Sequence, residues 1–246
     1  MLYTNYVTYE VLNREQLNTI HQVLNESNSE TEWRDGLHTT EHHNSDIKKN
    51  LEYHNSDIKK NLEYYPENRE SYRYIVDIIN FSMDKSFEFL ELAVPYTNTS
   101  PIISKTNVDG YYNLHVDKPE NGDFSTTIFL SDKDSYEGGE LSIFVDNEER
   151  KIKLDAGYAV TYNTGLPHFV NKVTSGERLA AIFWSHSLFR DIVHRQIYSE
   201  ISALSRLVNN KESKIINSFD IYKEDYTMRL TLLKNFLMKN YSRKIK

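Results

Sequence analysis

After Pro101 the chain breaks into eight short apolar or alternating runs, at 102–106, 111–116, 125–131, 140–145, 150–154, 158–163, 168–173 and 178–185. Runs of this length are too short for ordinary helices, and their alternation has the period of two of half-buried strands. The intervals carry turn chemistry, at Asn121-Gly122-Asp123, Glu137-Gly138-Gly139, Asp155-Ala156-Gly157, Gly165-Leu166-Pro167 and Ser175-Gly176-Glu177. So many closely spaced strands predict a β-sandwich or barrel. Folded as a jelly roll, two Greek keys would lay 111–116 beside 168–173, although about fifty residues lie between them.

Helical periodicity flanks this region. A strand over 7–12 leads to Asn13, placed as the N-cap of a helix running to about Glu26 with Leu17, Ile20 and Leu24 on one face. Trp33 is expected to anchor against the sheet, with Asp35-Gly36 turning the chain. From Glu67 to about Leu92, Tyr72, Ile75, Ile79, Met83, Phe87 and Leu90 predict one long amphipathic helix, ended by Pro95. Beyond Ser187, Val193 to Val208 and Leu230 to Tyr241 predict two more helices. These are expected to buttress a sheet or form a dimer contact, which leaves monomer and homodimer both open.

The segment His43–Tyr53 is repeated without change as His54–Tyr64. Eleven residues make about three helical turns, so a helix would keep Ile47, Leu51, Ile58 and Leu62 on nearly one face. The duplication is therefore expected to be tolerated if this part is helical, with the first copy as an insertion. The duplication also accounts for His43 and His54 without a ligand role. The expected organisation is one integrated unit of mainly β structure with flanking helices (α+β): an N-terminal helical and strand region at 1–100, a core at 101–187 and C-terminal helices at 188–246.

The chemistry centres on His115-Val116-Asp117. On a strand, residues i and i+2 share a face, so His115 and Asp117 can reach one ion while Leu114 and Val116 pack behind them. His168, entering a second strand after a Gly/Pro turn, completes two histidines and one carboxylate. That set leaves coordination positions open and suits non-haem Fe(II). Ten residues on, Arg178 begins the apolar run to Trp184. A guanidinium there can grip a carboxylate with two parallel hydrogen bonds, as an Fe(II) oxygenase using 2-oxoglutarate requires for the far end of that acid. The other histidines, His21, His38, His42, His186 and His194, are read as ordinary hydrogen-bonded residues.

With these residues in place the chain resembles the 2-oxoglutarate/Fe(II) dioxygenases of the prolyl-4-hydroxylase-like group, and most of all the PKHD-type hydroxylases of bacteria and phages. The matching stretches are Tyr112 to Asp117, Leu130-Ser131-Asp132 with Tyr136 to Leu141, Leu166 to Arg178, and Phe183 to Ser187. The resemblance implies a double-stranded β-helix (jelly roll) core, with Fe(II) on His115, Asp117 and His168. It implies 2-oxoglutarate and O2 as cosubstrates, the former held by Arg178, and ascorbate as a stimulant. Tyr112 is a candidate hydroxyl donor, and Thr127, Phe129, Leu141 and Trp184 are candidate pocket-lining residues. Relatives commonly carry tyrosine where this chain has Thr106, so the second hydroxyl to the cosubstrate is open to Tyr112 or water. The implied reaction is hydroxylation of a C–H bond of peptidyl proline, with release of succinate and CO2. The rivals are a small-molecule hydroxylase of the same mechanism, a non-catalytic jelly-roll binding module, and a structural zinc site that the open ligand set suits poorly.

Composition narrows the remainder. A net charge of −7 disfavours broad attraction to nucleic acid. There is no cysteine for disulfides or Cys-based zinc sites, no signal-peptide pattern in Met1–Tyr6 and no stretch apolar enough to span a membrane. The expectation is a cytoplasmic protein acting on a peptide, a protein or a small molecule.

Overall fold

A computed structural model describes residues 5–26, 32–36, 58–65, 69–209 and 223–243. The helices are α1 (Arg14–Glu26), α2 (Arg69–Met83), α3 (Phe87–Ala93), α4 (Ile192–Asn209) and α5 (Lys223–Tyr241). The first strands are β1 (Tyr6–Glu10), β2 (Trp33–Asp35), β3 (Lys59–Lys60), β4 (Leu62–Tyr64), β5 (Pro95–Asn98), β6 (Ile102–Thr106), β7 (Tyr111–His115) and β8 (Phe124–Phe129). They continue with β9 (Tyr136–Gly138), β10 (Leu141–Val145), β11 (Glu148–Ile152), β12 (Tyr158–Asn163), β13 (His168–Val170), β14 (Val173–Gly176) and β15 (Arg178–Ser187).

The strands form a major sheet in the order β1-β12-β8-β15-β6-β4-β2, with β5 also on β15, and a minor sheet in the order β11-β10-β13-β7-β3. The pair β14-β9 stands apart. Every pairing is antiparallel, and the expected neighbours β7 and β13 do lie side by side. The fold is the mixed α+β jelly roll expected, with the run 168–173 divided at its end between β13 and β14.

Two apolar layers hold it. Phe129, Leu141, Ile143, Val145, Ile152, Val160 and Tyr162 fill the space between the sheets. On the outer face of the major sheet, Ile20, Leu24, Ile75, Ile79, Met83 and Phe89 of the helices pack on Ile103, Ile128, Ala181 and Phe183. Each such side chain stabilises the fold by about 1.5–3 kcal/mol on burial. α1 starts as read: Asn13 Oδ1 accepts from the Gln16 backbone N–H and Gln16 Oε1 from that of Asn13, both at 2.9 Å. Among the described residues no helix is long and apolar enough to cross a membrane.

Three expectations fail. The long helix is two helices: the chain turns at Asp84-Lys85, and Ser86 caps α3 by accepting from the Phe89 N–H. The new cap rotates the apolar face, so Phe89 is fully buried and Phe87 is 57% exposed. The helix then ends in a left-handed Val94, and Pro95 opens β5.

The second copy of the duplicated segment is not helical where it is described. Lys59 and Lys60 pair with Tyr112 and Tyr111 in the minor sheet, and Leu62 and Glu63 pair with Lys105 and Ser104 in the major one. Ladder hydrogen bonds to two sheets outweigh the helical period. The pair Lys59–Glu63, at 2.8 Å and buried, spans the bend between them. The first copy, His38 and His42 lie outside the described residues.

Leu114 and Val116 do not pack behind the site: they are 60% and 52% exposed. The two-residue strand β3 covers β7 only at Tyr111 and Tyr112, which leaves the far end of β7 uncovered among the described residues.

Candidate active site

His168 of β13 stands directly opposite His115 of β7. The next matched pair is Val170 with Tyr112, so two residues on β13 face three on β7. This bulge puts Tyr112 and His115 on one side of the sheet, which strict alternation would forbid. Their rings stack at 3.8 Å and 18°.

Asp117 follows β7 and reaches between the histidines. Its Oδ1 lies 3.7 Å from His115 Nε2 and its Oδ2 lies 3.6 Å from His168 Nε2, and the three residues offer ligand atoms within 4.8 Å of one another. His115 Nδ1 is 2.7 Å from the Asn113 carbonyl and His168 Nδ1 is 2.9 Å from that of Leu166. A carbonyl can only accept, so each Nδ1 carries the hydrogen and each Nε2 presents its lone pair inward. Burial, and next the neighbouring His168, push the His115 pKa down to about 4, which keeps that ring neutral. The donors fit one metal ion held on one side, with other positions free.

Asp117 is fixed from the opposite sheet. Its Oδ2 accepts from Ser125 Oγ of β8 and from Trp184 Nε1 of β15, each at 2.8 Å. Ser125 and Trp184 are register partners, so the pairing of two core strands sets both donors. Trp184, expected as part of an apolar wall, thus makes a specific hydrogen bond to the carboxylate.

On the same face of β15, Arg178 is 3% exposed. It pairs in register with Thr106, while Ala180 pairs with Phe129 and Ile182 with Thr127. Alternation therefore brings Thr106, Thr127, Phe129, Arg178 and Trp184 to one surface, which Leu141 faces from the other sheet. The guanidinium lies 5.5 Å from the Phe129 ring centre. Among the described residues no carboxylate pairs with it, its Nε has no hydrogen-bond partner, and burial lowers its pKa. An unpaired buried cation is costly, so this one suits an anion brought in from outside.

Three further residues emerge from the fold alone. Tyr162 of β12 is buried opposite Ser125 and meets His168 edge-on, with ring centres 5.1 Å apart. Burial, then Asp117, raises its hydroxyl pKa far above the usual tyrosine value. Ser125 acts through Asp117, and Tyr136 lies beside Arg178. The alternation of Val160 and Tyr162 could have signalled the first, whereas nothing local singles out Ser125. His21 meets the Leu130 carbonyl at 2.8 Å, His194 stacks on Tyr241 and His186 lies 4.0 Å from Asp123, all apart from the triad. An open groove of about 410 Å³ crosses the ends of β7 and β13, lined in part by Tyr111, Leu114, Phe169 and Lys172.

Comparison with known proteins agrees with this geometry. Residues 102–186 match the 2OG-Fe(II) oxygenase superfamily model. A PKHD-type hydroxylase of Prochlorococcus marinus (strain MIT 9301) is 31% identical over 214 residues, covering 85% of this chain and 90% of the relative. One from Pseudomonas putida (strain W619) is 32% identical over 188 residues, covering 72% and 78%. Among solved structures, a Pseudomonas putida prolyl-4-hydroxylase has a TM-score of 0.53 at 15% identity, covering 74% of this chain and 92% of that one. A Trichoplax adhaerens prolyl hydroxylase, in complex with a hypoxia inducible factor peptide fragment, has a TM-score of 0.55 at 14% identity, covering 78% and 86%. At such identities the likeness to both structures is one of fold. The identity to full-length relatives carries the conclusion: this chain belongs to the PKHD-type hydroxylases, 2-oxoglutarate-dependent dioxygenases of the 2OG-Fe(II) oxygenase superfamily.

Proposed function

We propose that the protein hydroxylates a C–H bond of a peptidyl proline, with Fe(II) on His115, Asp117 and His168 and with Arg178 binding the distal carboxylate of 2-oxoglutarate. The observation that carries this reading is a buried guanidinium without an acid partner on the same inner surface that fixes Asp117. Bound iron and 2-oxoglutarate would supply oxygen activation, one oxygen atom leaving in succinate as CO2 is released and the other entering the product.

The chain's own residues would do the rest. The carbonyls of Asn113 and Leu166 hold the two imidazoles in the ligating tautomer. Ser125 and Trp184 keep Asp117 from turning away. Phe129, Leu141 and Val160 exclude water behind the site. Tyr112, stacked on His115, carries a hydroxyl whose pKa is raised by burial, then by Asp117 and Glu63, so it keeps its proton and can donate. The exposed Leu114 and Val116, with the groove along β7 and β13, support an extended polypeptide as substrate, as does the peptide bound to the Trichoplax enzyme.

The test is succinate formation from 2-oxoglutarate by Fe(II)-loaded protein exposed to oxygen, with ascorbate and with or without proline-containing peptides. Wild type should turn over, His115→Ala should not, Arg178→Ala should be weakened, and peptides should stimulate. Stimulation by free amino acids or metabolites alone would replace the peptide reading with a small-molecule one. A wild type that binds neither iron nor 2-oxoglutarate would overturn catalysis.

A further inference from the structure

Arg178 Nε and Tyr136 Oη are both buried without a hydrogen-bond partner. The two residues, each 3% exposed, lie against one another. Tyr136 opens β9 and Arg178 opens β15, and the antiparallel pairing of Tyr136 with Gly176 on β14 brings the β9 turn to the start of β15.

Glycine sets how closely they meet. Gly139 has φ +66, and a Cβ built there would lie 3.0 Å from Tyr136 Cε2 and 3.2 Å from Arg178 Cδ. At Gly138, φ is +70 and a Cβ would lie 2.0 Å from the Lys172 carbonyl oxygen. Any side chain at either position would push the tyrosine off the arginine. From behind, Lys153 Nζ donates to the Tyr136 carbonyl at 2.7 Å and stands 4.2 Å over the ring, which fixes the ring's direction.

This arrangement lacks an acceptor. A guanidinium offers donors only, and Phe129 beneath it has no hydroxyl. Burial raises the Tyr136 pKa despite the opposing guanidinium, so the phenol keeps its proton. Two adjacent orphaned groups that can donate are expensive unless one anion satisfies both.

Resting on the reading that 2-oxoglutarate binds at Arg178, we propose that Tyr136 Oη is the second donor to its distal carboxylate and sets the preference for a 2-oxo acid with a second carboxylate. Arg178 supplies the charge, and Tyr136 supplies a directed neutral donor that recognises the carboxylate end. The Tyr136-Glu137-Gly138-Gly139 turn is then a cosubstrate-binding element.

The test is calorimetric binding of 2-oxoglutarate and of 2-oxobutyrate, which lacks the distal carboxylate. It uses oxygen-free, Mn(II)-loaded wild type, Tyr136→Phe and Arg178→Gln. Loss of one hydrogen bond to a charged group predicts roughly 10- to 100-fold weaker 2-oxoglutarate binding in Tyr136→Phe. Binding of 2-oxobutyrate and Mn(II) should stay within about twofold. Because the hydroxyl has no partner in the protein itself, the melting temperature without cosubstrate should be unchanged or raised. The inference is overturned if Tyr136→Phe binds 2-oxoglutarate as wild type does, or if it weakens both 2-oxo acids alike. If wild type binds 2-oxoglutarate and only Arg178→Gln weakens it, Tyr136 alone loses its role. If wild type does not bind it, the underlying reading falls too.

Discussion

Replacing Trp184 with Phe removes one N–H and keeps an aromatic ring, so it isolates the hydrogen bond to Asp117. That bond is 2.8 Å long, joins a neutral donor to a carboxylate, and leaves Ser125 Oγ as the other donor to the same oxygen. Hydrogen bonds to charged groups contribute about 1.5–3 kcal/mol, and outer-shell partners of metal ligands are worth about 10- to 100-fold in metal affinity. With Ser125 remaining, the lower end is expected: roughly tenfold weaker Mn(II) or Fe(II) binding, or about 1.4 kcal/mol. Ser125→Ala should cost a similar amount, and the double variant should cost more than the sum because the carboxylate is then free to turn. Calorimetry under anaerobic conditions measures the affinity. Trp184 is one of only two tryptophans, so in a Trp33→Phe background its fluorescence gives a second readout at the site. A metal affinity within about twofold of wild type in a normally folded Trp184→Phe would refute the reasoning. So would a loss of affinity that tracks an equal loss of global stability.

Three further outcomes are expected. The folded-state pKa of His115 lies below its unfolded value, at about 4 against 6.5, so the folded protein takes up fewer protons. Its contribution is present above pH 6.5 and lost toward pH 4, and urea melts of metal-free protein should show a drop of about 2 kcal/mol by pH 4.5 that His115→Gln lacks. Lys59→Met leaves Glu63 buried without its 2.8 Å cation partner and should cost about 3–5 kcal/mol by urea denaturation, with Glu63→Leu restoring much of it in the double variant. Deleting 43–53 leaves the identical second copy to supply β3 and β4, and stability should change by less than about 0.5 kcal/mol; a much larger loss would show that the first copy contributes to the fold.

What the sequence determined by itself was whatever is encoded locally. Turn residues and period-two runs marked most core strands, because both follow from backbone sterics within a few residues. The reciprocal cap at Asn13 and Gln16 was legible for the same reason. His115, Asp117, His168 and Arg178 stood out because a polar group on an apolar strand needs a reason to be there. The tertiary structure decided what depends on a partner strand. The bulge that stacks Tyr112 on His115 exists only relative to β13. The indole N–H of Trp184 finds Asp117 only because β15 and the end of β7 face each other from different sheets. The duplicated segment is compatible with a helix by period, yet β3 and β4 are strands because two sheets offer their edges to it. Tyr136 meets Arg178 through two glycines and a separate strand pair, a proximity between residues far apart in the chain that no local pattern encodes.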